Sequence, residues 1–232
     1  MKKVKSILFI AISLFIVTNI SAQEQREMKV YYKNGTTLQV PVSKIDSITF
    51  ILTEGDEGVV INGVRWATRN VDMPGTFAAK PESAGMFYQW NKNIGWSTTD
   101  PMVNSNGGTT WDNTSAIGTI WYEINNPCPT GWRIPTKEEL ISLEQAGSVW
   151  TTVNGISGRN FGAGANQVFL PTVGARHAVD GRLIEYGLGC YWSSSNSSGS
   201  SYAVHLYFSS SSVSASSTNP RSRGYSVRCV AE

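Results

Sequence analysis

In "SYAVHLYF", residues 201–208, alternation sends Val204, Leu206 and Phe208 to one face of a strand and Ala203, His205 and Tyr207 to the other. The first set predicts a core-facing side, the second an outward one. Similar short apolar runs recur from Val59 onward: "VVINGVRWATRNV", "GMFYQWN", "QVFLPTVGAR", "RLIEYGLGCYWSSS" and "GYSVRCVAE". Turn-forming residues such as those of "DMPGTFAAKPESA" separate them, so the chain reads as strands and loops. Helical spacing is clear once, in "TKEELISLEQAG". Thr136 and Glu139 form a capping box, Leu140, Leu143 and Ala146 make the buried stripe, and Gly147 ends the helix.

Upstream, "VYY" and "TLQVPV" flank Asn34–Gly35 and predict a small β-hairpin, followed by a turn or short helix and a third strand ending in "ITF". The acidic, glycine-rich "TEGDEG" reads as a linker. Residues 91–119 are rich in Asn, Thr, Gly and Ser, with Trp96 and Trp111 embedded, which predicts a long loop pinned by indoles. The resulting division is a leader at 1–22, a small β unit at 23–54, a linker at 55–58 and one large domain at 59–232.

The leader changes the charge argument. "MKKVKSILFIAISLFIVTNISAQ" has three lysines, an apolar run from Ile7 to Val17 and small residues up to Ala22, the layout of a secretory signal peptide. The run is shorter than the roughly 20 residues a membrane span needs, so no transmembrane segment is expected once it is removed. Without Lys2, Lys3 and Lys5 the chain keeps 16 basic against 17 acidic residues, and nothing in that balance points to nucleic acid. Export also places Cys128, Cys190 and Cys229 in an oxidising compartment. Cys128 and Cys229 lie in segments that read as ordered and are the expected pair, which leaves Cys190 as the odd thiol.

Signals for catalysis are sparse. His177 and His205 are the only histidines, no nucleophile elbow is present, and the carboxylates show no glycosidase spacing. Asp112 has no partner motif for calcium, so neither a metal nor a cofactor is expected. Recognition is better supported: residues 191–222 hold fifteen serines threaded with Tyr191, Trp192, Tyr202, Leu206, Tyr207 and Phe208. Tyrosine, serine and asparagine together are the composition of adaptable binding surfaces.

Taken together, "INGVRWATRNV", "AGMFYQWN", "NPCPTGWRIPTKEEL", "YWSSS" and "RGYSVRCV" resemble the Fibrobacter succinogenes major paralogous domain over residues 59–232. Members look like exported proteins of Bacteroidetes-type bacteria. The resemblance implies an α+β, C-type-lectin-like domain, loop-rich, with small antiparallel sheets and one or two helices. It also implies a bridge from the cysteine before the helix to the last strand, where Cys128 and Cys229 fall. The tail further resembles C-type-lectin-like proteins diversified by retroelements, whose adenine-directed mutagenesis writes Ser, Tyr, His, Asn and Arg into outward positions. The expected ligand face is Ser195, Asn196, Ser198, His205, Tyr207, Ser211, Ser214, Ser217, Asn219, Arg221 and Arg223, with Tyr207 as anchor. The expected ligand is a protein or glycan at the cell surface. Alternatives are a structural adhesin or fimbria-associated subunit, and an enzyme on a formylglycine-generating-like scaffold using Cys190.

Overall fold

Two Asn–Gly pairs set the tightest turns of the large domain. Asn62–Gly63 and Asn154–Gly155 all take positive φ, at 49°, 82°, 48° and 83°. That is the two-residue turn whose twist matches the strands it joins, and it calls for residues that tolerate left-handed backbone. The computed structural model describes strands 27–31 and 37–41 and residues 56–232 apart from Ser200. Its chain divides into two units, Met1–Thr53 and Glu54–Glu232.

In the first unit β1 (Glu27–Tyr31) and β2 (Thr37–Pro41) pair antiparallel, with Tyr31 opposite Thr37. The intervening Asn34–Gly35, the expected third strand and the expected signal peptide lie outside the described residues. The second unit runs β3 (Val59–Ile61), β4 (Val64–Trp66), β5 (Phe87–Gln89), β6 (Gly95–Trp96), β7 (Trp132–Arg133) and α1 (Lys137–Gln145). It continues with β8 (Ser148–Val153), β9 (Ile156–Ala163), β10 (Asn166–Pro171), β11 (Ala175–Arg176) and β12 (Leu183–Ile184). Last come β13 (Gly189–Asn196), β14 (Tyr202–Phe208), β15 (Val213–Pro220), β16 (Gly224–Tyr225) and β17 (Val230–Ala231). Its sheets have orders β3-β4-β17-β7, β12-β11-β16-β5-β6, β10-β9-β8 and β13-β14-β15. The result is a β-rich α+β fold of small antiparallel sheets with one α-helix among the described residues. No helix among them is long and apolar enough to cross a membrane.

Local signals give local structure. Thr136 Oγ1 accepts from Glu139 N at 3.2 Å while a Glu139 carboxylate oxygen accepts from Thr136 N at 2.8 Å, the reciprocal cap expected from the sequence. Leu140 and Leu143 are buried beneath α1. Cys128 and Cys229 are joined, 101 residues apart, and Cys190 is free and buried. The acidic stretch read as a linker belongs partly to the folded unit. The Asp56 side chain is buried and accepts from Gly58 N, Thr68 N and Arg69 N.

The β13–β14–β15 sheet stands between two apolar clusters. Cys190, Trp192 and Ala203 belong to one, with Ala67, Tyr88, Trp90 and Tyr225. Tyr191, Leu206, Phe208 and Ala215 belong to the other, with Trp66, Leu140, Leu143 and Phe161. The alternation along β14 is therefore real, but both of its faces are interior. His205 is only 1% exposed, packed on Tyr225 at 4.8 Å and Trp192 at 5.8 Å between ring centroids, and Tyr207 is half-buried against the first cluster. The outward placement expected for these two side chains is corrected: a second layer covers the face that alternation alone left to solvent.

Candidate functional site

The register of the β13–β14–β15 sheet decides which of the expected ligand residues can act together. Asn196, Ala203 and Asn219 lie in one cross-strand row, His205 and Ser217 face Trp192 in the next, and Tyr207 sits between Cys190 and Ser214. The connections to β13 and to β15, the latter at 209–212, lie at opposite ends of β14. Ser195, Asn196 and Ser198 are thus near one end and Ser211 near the other, separated by a seven-residue strand of about 20 Å. A single small ligand does not touch both.

Besides His205, two members of the expected set, Arg221 and Ser195, are scaffold. Arg221 is 1% exposed and lies 4.2 Å over the Trp90 ring. Its guanidinium donates to the backbone oxygens of Tyr202, Ala116 and Gly118, and its role as a ligand contact is corrected to that of a clamp. A buried arginine is tolerable here because carbonyl dipoles and an aromatic face replace its water. Arg176, also buried, donates in the same way to Ser97 O, Thr99 O and Gly181 O, tying down the long loop beside the Trp96–Trp111 pair. Ser195 faces the helix start, where its Oγ accepts from Lys137 N.

The clamp of Arg221 leads to a surface that the sequence reading passed over. Between residues 116 and 125 the backbone is held at many points. Asn91 Nδ2 donates to Ile117 O, Asn91 Oδ1 accepts from Tyr122 N, and Asn93 Nδ2 reaches Ile124 O. Trp121 N donates to Ser194 O, its indole N–H to Asn125 O, and Ile120 forms a bridge with Ser195. Trp121 is buried, yet Ile117 is 83% exposed, Ile120 58%, Tyr122 42% and Ile124 83%. Scattered exposed apolar residues need no explanation, but four large ones within eight residues on a fixed backbone mark this segment as a candidate contact surface. Beside it lies a cleft of about 490 Å³, lined among others by Ile120, Trp121, Ile134, Arg133 and Glu123. Exposed Ser198 and Tyr202, on the adjoining hairpin end, extend the surface with polar groups.

A polar cluster sits under the β13–β14 face. Cys190 Sγ donates to Glu185 at 3.2 Å, Glu185 pairs with Arg223, and Arg223 Nη1 donates to Tyr225 Oη at 3.1 Å. Burial and then the Glu185 charge push the Cys190 thiol up, so it stays protonated and is a poor nucleophile. Burial and then the Arg223 charge push His205 down to about 3, leaving a neutral ring at physiological pH. Among the described residues its Nδ1 meets no partner in good hydrogen-bond geometry, and its Nε2 lies 3.4 Å from Asn219 Nδ2. His177 Nδ1 sits 3.0 Å from Asp180 at the surface, with Arg182 holding the other Asp180 oxygen. Among the described residues no group of three or more His, Cys, Asp or Glu is placed to hold a metal ion.

No protein-family model, curated protein or solved structure matches this chain.

Proposed function

We propose that the chain is an exported, surface-associated ligand-binding module of the C-type-lectin-like class. Its binding surface is the clamped 116–125 segment with the adjoining end of the β13–β14 hairpin. The observation that carries this reading is the rigid exposure of Ile117, Ile120, Tyr122 and Ile124. Apolar surface held in one conformation loses little entropy when a partner covers it, and pre-ordered aromatic and aliphatic anchors dominate binding energy. The C-type-lectin-like assignment is supported by the helix that follows Cys128 and by the bridge to Cys229 beside the last strand. The ligand class is a protein or glycan of the cell surface, with Ser198 and Tyr202 offering hydrogen bonds at the rim.

Retroelement diversification belongs to the same reading. Ser198, Ser211, Ser216 and Thr218 are exposed, so substitution there leaves both apolar clusters alone. A reverse transcriptase and a near-copy of the gene's 3′ end beside it are expected, and flanking DNA with neither removes diversification from the proposal.

The binding test uses a glycan array and pull-down from surface extracts, comparing the natural chain with the Ile117→Ser/Tyr122→Ser variant. The expected result is a defined glycan or protein whose binding falls at least about tenfold in the variant, at unchanged melting temperature. Equal binding by both would remove this surface from consideration.

A further inference from the structure

We propose that β8 is a self-pairing edge, through which two copies of this chain join their β10-β9-β8 sheets antiparallel about a two-fold axis at Thr151. Val153 and Ile156 close the Asn154–Gly155 turn, so they exchange backbone hydrogen bonds, as do Thr151 with Gly158 and Val149 with Asn160. The N–H and C=O groups of Trp150 and Thr152 then point away from β9. β8 is the last strand of its sheet, and among the described residues nothing bonds those four groups.

Edges of this kind are normally guarded by charge, proline or a covering element. The long edge strand β15, by contrast, is guarded: α1 packs beside it and a Glu144 carboxylate oxygen accepts from Ala215 N at 3.0 Å. β8 has no such device. From Ser148 to Gly158 the chain carries neither a charged residue nor a proline, and Val149 is 68% exposed.

The occupant follows from symmetry. With Thr151 on the axis, Trp150 faces the partner's Thr152 and Thr152 faces the partner's Trp150, so the four outward groups and their counterparts satisfy one another. Val149 then lies opposite the partner's Val153, and Thr151 opposite the partner's Thr151. These are β-branched pairs with no like charges between them, which favours strand pairing. A C2 contact of this form closes after two copies, because each β8 has one free edge.

Sedimentation velocity on the full chain, from about 1 to about 200 µM, spans the range in which so small an interface dissociates. The expected result is a shift from monomer to dimer across that range. Thr151→Lys places two ammonium groups opposite each other on the axis. Thr152→Pro removes an outward N–H without touching the β9 ladder. Each should weaken dimerisation at least about tenfold while the melting temperature holds. Val149→Lys, at a position already in solvent, replaces Thr152→Pro if that variant melts early. A chain that is monomeric throughout, or a dimer that these variants leave intact, overturns the proposal.

Discussion

Acidification from pH 7 to pH 5 should destabilise the large domain through one buried side chain, His205. In the folded chain this imidazole is pushed down to about 3, and its 1% exposure leaves no solvent to soften the effect. In the unfolded chain it titrates at its ordinary value near 6.5. Below that value the unfolded state binds a proton that the folded state refuses, so stability falls with pH and goes on falling until the folded value is reached. Across the window the slope approaches about 1.4 kcal/mol per pH unit, which makes the loss between pH 7 and pH 5 about 2 kcal/mol. Few carboxylates change state above pH 5, so the window isolates histidine. His205→Phe keeps a flat ring against Trp192 and Tyr225 but takes up no proton. Urea unfolding followed by tryptophan fluorescence at pH 7, 6 and 5 should show the natural chain losing about 2 kcal/mol more than the variant. Parallel losses would mean that the imidazole is reached by water, and with it the two-layer covering of β14 would be wrong.

Arg221→Met keeps the bulk over Trp90 but loses the donors to Tyr202 O, Ala116 O and Gly118 O. It should cost about 2–4 kcal/mol and raise amide exchange at 116–125 before it affects α1; exchange unchanged there would refute the clamp. Cys128→Ala with Cys229→Ala opens a loop of 101 residues and should lower stability by up to about 4.7 kcal/mol in denaturant titrations. A loss below about 1 kcal/mol would mean that the unfolded chain stays compact without the bridge.

What was legible in the sequence was local. The Thr136–Glu139 cap needs only four residues, and the β1–β2 pairing follows from two short strands near each other in the chain. The cysteine pairing was legible because three cysteines allow few choices. The fate of His205 and Tyr207 was not legible, since alternation reports that a strand has two faces without saying how many of them are covered. That depends on Tyr225, twenty residues beyond His205, folding back over the sheet. Arg221 misled for a related reason. An arginine among serines reads as a solvated charge until its carbonyl partners are known, and for Arg221 two of these lie more than one hundred residues away. Ile120, Tyr122 and Ile124 alternate as in a strand, while Ile117, Ile120, Trp121 and Ile124 are spaced as on a helix, so period alone assigned this segment to neither, and the crowding of large apolar residues around Trp121 was the available signal.

The serine-rich tail looks uniform but divides by what each hydroxyl touches. Ser193 is fully buried, donates to Val204 O at 2.8 Å and accepts from Ser195 N, so it fixes the bulged part of the β13–β14 pairing. Ser209 Oγ accepts from Ser211 N and Ser212 N, closing the β14–β15 turn with a side chain short enough to reach its own backbone. Ser195 holds the start of α1. These three positions demand a small hydroxyl, and alanine at any of them leaves a backbone donor without its partner. Ser198, Ser216 and Thr218 are exposed with no side-chain hydrogen bond among the described residues, so their identity is open. Diversity in this tail is therefore expected to be interrupted rather than continuous: variation at 198, 216 and 218, constancy at 193, 195 and 209. Natural variants of this gene that change Ser193 or Ser209 as freely as Ser198 would show that the serines were never sorted by hydrogen bonding at all.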